Sequence, residues 1–154
     1  MNIAILDTNV IIKLRKAMII DYLGGLFDKI IVPEAVKNEC MDYFSKIELN
    51  KSFFEIVCVS KLLKISGIGL GELEVISIAV ERNIPVICTD DKKATKKALQ
   101  YNLIPLTTYS LLVFFKKKGL IKSVKKYLDL MLANGEFFEN ELYVDILRLA
   151  GETN

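Results

Sequence analysis

Residues 69–91, GLGELEVISIAVERNIPVICTDD, decide the fold of this 154-residue chain. Leu73, Ile76 and Val80 recur at spacings of three and four, which predicts a helix, and Asn83 and Pro85 stop it. The segment 85–89, PVICT, is short and nearly all apolar, the pattern of a strand covered on both faces. Asp90 and Asp91 follow directly. In open α/β sheets ligands bind outside the carboxyl ends of the strands. Other acids are therefore sought at strand ends and helix starts.

The chain alternates in the same way on either side. Residues 3–6 are a buried strand running into Asp7-Thr8-Asn9, and residues 10–16 begin a helix that ends before Gly24-Gly25. Residues 29–32 are a second strand, and Pro33 suits the first position of a helix running to about Phe44. Residues 53–59 read either as a strand or as the continuation of a helical arm, and 62–70 as a loop containing glycine. Residues 92–101 are helical, 104–107 a further short strand, and 109–118 a helix closed by Gly119. Two more helices cover about 123–133 and 139–150, with Asn134-Gly135 between them. The expected fold is a three-layer α/β/α arrangement, with a central, mostly parallel sheet of about five strands, in one domain over 1–154.

Composition narrows the chemistry. A hydrophobic content of 52% and a mean hydropathy of +0.34 imply an ample core or a covered partner surface. A chain of this length buries roughly 68–70% of its unfolded surface. No apolar run approaches the roughly 20 residues of a membrane helix, so no membrane partner is expected. The opening MNIAILDTNV has neither the basic region nor the cleavage site of a secretory leader. Cys40, Cys58 and Cys88 are odd in number with no C-x-x-C spacing, and read as reduced, mostly buried thiols of a cytoplasmic protein. Histidine is absent, which excludes Ser-His-Asp and Cys-His catalysis and zinc held by histidine. Any acid–base or metal chemistry falls to carboxylates, Lys, Tyr or Cys, and carboxylates suit hard cations such as Mg²⁺ and Mn²⁺.

Each acid has a plain role to set against a chemical one. Asp7 ends a strand ahead of a helix, so it also reads as that helix's N-cap. Glu34, in the first turn after Pro33, simply complements the helix dipole. Glu39 shares the apolar stripe of Val36, Cys40 and Tyr43, where a carboxylate needs a partner. Glu72 shares a face with Val75, Ile76 and Ala79 and points inward, whereas Glu74 shares one with Ser77 and Glu81 and is expected to face water. Asp90 and Asp91 also read as a turn and an N-cap. If Asp7, Glu39, Glu72 and Asp91 meet at one sheet edge, the cost is large. Two like charges about 4 Å apart repel by roughly 4 kcal/mol at an effective dielectric of 20. A few such pairs rival the whole stability of a domain, about 5–15 kcal/mol. Shared protons relieve this, and so does a divalent cation suited to phosphodiester hydrolysis.

ILDTNV (5–10), VPEAVKNE (32–39), GELEVISIA (71–79) and TDD (89–91), in that order, resemble the PIN-domain superfamily of metal-dependent nucleases. The likeness is closest to short prokaryotic PIN-like proteins, including ribonuclease toxins. It continues through TTYSLLVFFKKKGLI, VKKYLDLMLANGEFF and ELYVDILRLAGE, and so covers nearly the whole chain. The resemblance implies that Asp7, Glu39, Glu72 and Asp91 are catalytic metal ligands, with Asp90 a neighbouring or alternate ligand. Glu72 stands where most relatives have Asp. Thr8, Asn9 and Thr89 are implied to orient these acids or a water. The implied activity is an endoribonuclease dependent on Mg²⁺ or Mn²⁺, acting on single-stranded or structured RNA. The implied setting is the toxin of a toxin–antitoxin pair, with a small antitoxin partner and a homodimeric state.

Charge and apolar patterning add to this. Between Lys92 and Lys126 there are ten lysines and no acid. They read either as ordinary solvated helix faces or as an electrostatic track for phosphates, with Lys92 and Lys93, then Lys96 and Lys97, nearest the acids. The run 111–115, LLVFF, is apolar all round, as in a fully buried helix or a surface shared with a second subunit. Tyr101, Tyr109 and Tyr127 suit core packing or base stacking. A haloacid-dehalogenase phosphatase needs D-x-D where this chain has Asp7-Thr8-Asn9. The run Gly67-Ile68-Gly69-Leu70-Gly71 lacks the dinucleotide-binding spacing. The competing function is a catalytically weak module that binds nucleic acid or an antitoxin.

Overall fold

The computed structural model describes residues 1–43 and 51–153. In chain order the elements are β1 (Ile3–Leu6), α1 (Thr8–Lys16), a 3₁₀ turn (Ile20–Gly25), β2 (Lys29–Pro33), α2 (Glu34–Tyr43) and β3 (Phe54–Val57). They continue as α3 (Leu70–Glu81), β4 (Val86–Cys88), α4 (Lys92–Gln100), β5 (Ile104–Leu106), α5 (Thr108–Lys117), α6 (Val124–Ala133) and α7 (Asn140–Leu149). Strand order is β3-β2-β1-β4-β5, and all four pairings are parallel. Parallel neighbours need crossovers, and the helices supply them while covering both faces, giving the three-layer α/β/α fold.

The central strand is apolar because it has no wet face. Ala4, Ile5 and Leu6 are fully buried, as are Ile30 and Val32 on β2 and Ile87 and Cys88 on β4. Helix α3 lies on β2, β1 and β4 with α2 and α4 beside it, while α5 packs with α1, α6 and α7. Asn83 and Asn102, with φ of 53° and 58°, sit in the left-handed region just past α3 and α4, a conformation asparagine tolerates.

Several expectations change in detail. The sheet is wholly parallel. Pro33 closes β2, in register with Val57, and Glu34 takes the first helical position instead. A proline is tolerated there because its missing N–H is lost at the end of a ladder. The expected end of that helix at Phe44 lies outside the described residues. Within 53–59 the chain forms β3, paired with β2, and not a helical arm. Leu111, Leu112, Val113 and Phe115 are buried inside the chain, so the apolar run is mainly core, and only Phe114 is substantially exposed, at 39%. Cys40 and Cys88 are buried, Cys58 is exposed, and all three are free.

Candidate active site at the carboxyl edge of the sheet

The strand order places a topological switch between β1 and β4, the position where α/β sheets open a crevice beyond their strand ends. Leu6 lies opposite Cys88 in the register, so Asp7 and Thr89 are the first residues past each strand. The Asp7 N–H donates to Cys88 O at 3.0 Å. Thr89 Oγ1 donates to Asp7 Oδ2 at 2.9 Å and accepts from the Asp91 N–H at 3.2 Å. One buried hydroxyl thus ties the acid after β1 to the acid after β4. Asp91 N-caps α4, its Oδ1 accepting from Ala94 N at 2.6 Å.

The other two acids arrive on helices. Thr8 donates twice, from its N–H to Asp7 Oδ1 at 2.6 Å and from Oγ1 to Glu39 Oε2 at 2.5 Å. Glu39 Oε1 accepts from Gly71 N at 3.1 Å, which pins α2 to the first turn of α3. A Cβ on Gly71 would lie 2.8 Å from Glu39 Oε2, so only glycine allows this approach. Glu72, one residue on, acts on Asp7 through its charge. Burial first, and then Glu72, push the Asp7 carboxyl from 3.8 up to about 7; Thr89 and Thr8 pull it back down, and Glu39 adds to the rise. Burial, followed by Glu39 and Asp7, pushes the Cys40 thiol up to about 12, so it stays protonated. Asp91 Oδ2 and both oxygens of Glu72 accept no hydrogen bond from any described residue.

Asp90 is used differently. Its Oδ1 accepts from Thr108 N at 2.7 Å, its Oδ2 accepts from Thr108 Oγ1 at 2.7 Å, and Lys13 Nζ lies 3.0 Å from Oδ2. Burial works against the Lys13 ammonium, but Asp90, and behind it Tyr109 and Glu136, hold its pKa above the usual value. Asn9 is exposed beside the site. Glu74 does not face water as expected. It is half-buried, and its Oε2 accepts from Ala35 N at 2.9 Å, capping the start of α2.

The lysine run does not form one track. Lys92 and Lys93 are exposed in the first turn of α4 beside Asp91, with Lys96 exposed and Lys97 half-exposed further along. Lys117 and Lys118 instead line a groove of about 740 Å³ with Ile3, Val86 and Phe114, at the opposite edge of the sheet. Lys116 and Lys125 are paired with Glu152 and Asp129. Tyr109 packs on Phe138 at 5.3 Å, as core packing requires, whereas Tyr101 is exposed.

Lys13, Gly71 and Glu74 escape a reading of the sequence alone, although two of them leave a trace. A lysine inside the apolar run VIIKL asks for an acidic partner. A glycine inside a helix costs about 1 kcal/mol against alanine, so its presence hints at a close approach.

A family model described as a PIN domain matches residues 3–152. The chain belongs to the PIN-domain family. No curated protein and no solved structure matched it in the same comparisons. PIN domains are generally nucleases, and they typically use divalent metals. Among the described residues, no group of three or more acids or thiols closes to ligand spacing. The donor chemistry of this PIN domain nevertheless suits a hard divalent cation. Its acids offer only oxygen, burial first and the charge of Glu72 second let Asp7 hold a proton near neutrality, and Glu72 and Asp91 keep oxygens free of hydrogen bonds from described residues.

Proposed function

We propose that this PIN domain, as one unit over 1–154, is an endoribonuclease dependent on Mg²⁺ or Mn²⁺. The observation that carries the reading is the pairing of Asp7 with Asp91 through Thr89 at the switch point of the sheet. Asp7, Glu39, Glu72 and Asp91 would hold the cation. When bound, a divalent cation acidifies water and compensates charge on phosphate oxygens. The chain's own residues then do three things. Thr89 and Thr8 fix the orientation of Asp7 and Glu39. The exposed ammonium groups of Lys92 and Lys93, with Lys96 and Lys97 beyond, bind flanking phosphates. The absence of histidine, and of any described cysteine or serine held against a base at the four acids, leaves hydrolysis without a covalent enzyme intermediate. The four acids exclude Asp90, whose oxygens are occupied by Thr108 and Lys13.

The test is cleavage of end-labelled single-stranded RNA by purified protein in Mn²⁺ and in EDTA. Cleavage in Mn²⁺ that is abolished by Asp7→Ala and by Asp91→Ala is expected; undiminished cleavage by either variant overturns the assignment. Lys92 and Lys93 should each contribute about −0.7 to the log–log salt slope of RNA binding.

A second reading, a catalytically weak module that binds nucleic acid or an antitoxin, is favoured by the absence of closed ligand spacing among the described residues. It predicts no rise in thermal stability on adding Mn²⁺, whereas a filled site stabilises by RT ln(1 + [L]/Kd). The toxin role, the antitoxin partner, the homodimer and the cytoplasmic setting rest on the resemblance to the short prokaryotic branch. Coexpression with the product of a small neighbouring gene, followed by co-purification and sedimentation, tests them.

A further inference from the structure

Lys13 occupies an unusual place for a lysine. It sits on α1 with its side chain only 14% exposed, and the Asp90 side chain it meets is 9% exposed. Its ammonium is 3.0 Å from Asp90 Oδ2 and 3.5 Å from Glu136 Oε2, and it stands 5.5 Å from the centroid of the Tyr109 ring. Phe138 packs edge-on against Tyr109, and Glu136 pairs with Lys13, so residues between α6 and α7 reach the pair. Buried ion pairs are weak evidence of stability, because desolvating both charges cancels most of their attraction. Removing one partner is different, since it strands a charge in a poorly solvated place.

Stability alone therefore gives a poor reason for the pair, and its location gives a better one. Asp90 lies between Thr89, which holds Asp7, and Asp91, which caps α4. Its carboxylate is fixed from two sides, by the start of α5 through Thr108 and by α1 through Lys13. Without the lysine, the two adjacent carboxylates after β4 would have no cationic partner among the described residues, Asp90 keeping only its bonds from Thr108 and Asp91 only the Ala94 N–H. The extra charge would compete for any cation, and the turn that presents Thr89 and Asp91 would lose one of its anchors.

We propose that Lys13 is a positioning residue of the acidic site: by neutralising and anchoring Asp90 it keeps that aspartate out of the cation's donor set and fixes the turn carrying Thr89 and Asp91. The proposal rests on the reading of the site as a cation-dependent nuclease. Lys13 acts through Asp90 and makes no contact with RNA.

The experiment compares wild type, Lys13→Met, Lys13→Arg and Lys13→Met/Asp90→Asn in the full chain. Each is measured for kcat and KM on labelled single-stranded RNA at saturating Mn²⁺, for Mn²⁺ affinity by electron paramagnetic resonance of the free ion, and for folding by circular dichroism in EDTA. Lys13→Met should lower kcat by about ten- to a hundredfold, the scale of a small misplacement of reacting groups, with KM unchanged. Lys13→Arg should recover most of the loss, because a guanidinium still pairs with Asp90. The double variant should recover it as well, because the amide at position 90 has no charge to offer the cation and Thr108 still anchors the turn. If Lys13→Met does not fold, the Arg and double variants carry the test by the same comparison.

A wild type that cleaves beside a folded Lys13→Met with full kcat overturns the proposal alone. So does a rise in KM in place of a fall in kcat, or a folded double variant no better than Lys13→Met, since either gives Lys13 a direct role on substrate. A wild type that neither binds Mn²⁺ nor cleaves RNA overturns the nuclease reading and this proposal with it.

Discussion

Thr89 donates its hydroxyl to Asp7 Oδ2 at 2.9 Å, joining residues 82 positions apart in the sequence. The contact follows from register. β1 and β4 are parallel neighbours with Leu6 opposite Cys88, so the residue after each strand must lie side by side. Thr89 Oγ1 gives its one hydrogen to Asp7 and accepts from the Asp91 N–H through a lone pair. The orientation of one carboxylate and the backbone of the next are thus set by a single atom.

Thr89→Val keeps the shape and removes that atom. The unfolding free energy measured by urea in EDTA should fall by about 1–3 kcal/mol, the cost of leaving buried polar groups unpaired. The loss should be larger at pH 8 than at pH 5, because a protonated Asp7 needs the donor less. Thr89→Ser should be close to wild type. Equal stability of the Val variant at pH 8 would show that the hydroxyl does not support Asp7.

Asp7 gives the metal-free protein a characteristic pH dependence. Its folded pKa is raised from 3.8 to about 7, by burial first and Glu72 second. Between those values the unfolded chain has released the proton while the folded chain still holds it. Stability therefore falls as pH rises from about 4 to about 7, and is level above that. Asp7→Asn removes the effect, so in EDTA it should be more stable than wild type at pH 8, by up to about 4 kcal/mol, and equal to it below about pH 4. Denaturation curves at the two pH values check this. A destabilised Asp7→Asn at pH 8 would mean that the buried charge is better compensated than its surroundings indicate.

The four acids proposed for the site stand out in the sequence because each breaks a one-dimensional pattern. Asp7 and Asp91 follow apolar strands, and Glu39 and Glu72 interrupt apolar helical stripes. Glu74 was misjudged because a helical stripe registers only neighbours on the same helix, and its partner is a backbone N–H on α2, 39 positions away. Asp90 and Asp91 looked alike in sequence, and their division of labour is decided by Lys13 and Thr108 on other elements. The lysines looked like one track because sequence distance ignores direction. Helix α4 begins at the acidic edge, whereas α5 carries Lys117 and Lys118 away to the opposite one.

Gly71→Ala sets two effects against each other. Alanine should favour the helix by up to about 1 kcal/mol. Its Cβ, however, would lie 2.8 and 2.9 Å from the two oxygens of Glu39. A carboxylate at the end of a flexible side chain moves before the backbone does, so the fold should survive with Glu39 displaced. The expected result is a melting temperature in EDTA within a few degrees of wild type, with a clearly smaller rise on adding Mn²⁺. An unchanged Mn²⁺ response would remove Glu39 from the cation's ligands.

Away from Asp7 and Asp91, Glu152 clasps the start of α6 to the end of α5. It accepts from Val124 N at 2.5 Å, Lys125 N at 2.9 Å and Ser123 Oγ at 3.2 Å, and it pairs with Lys116 Nζ at 2.8 Å. Those donors belong to the first turn of α6 and the last turn of α5, so one carboxylate supplies an N-cap and a clasp between helices. Burial opposes its charge, but the Lys116 contact and the two backbone N–H groups outweigh it and lower its pKa below 4.5. A lowered pKa stabilises the fold above the unfolded value of 4.5, and the stabilisation is lost as pH falls through the folded value. Glu152→Gln keeps acceptor geometry without charge and should cost about 1–3 kcal/mol at pH 7. As pH falls through the lowered folded pKa, the variant and wild type should converge. Because the clasp lies away from Asp7 and Asp91, the Mn²⁺-induced rise in melting temperature should be retained. Loss of that rise in a folded Glu152→Gln protein would show that the C-terminal helices act on the site as well as on the fold.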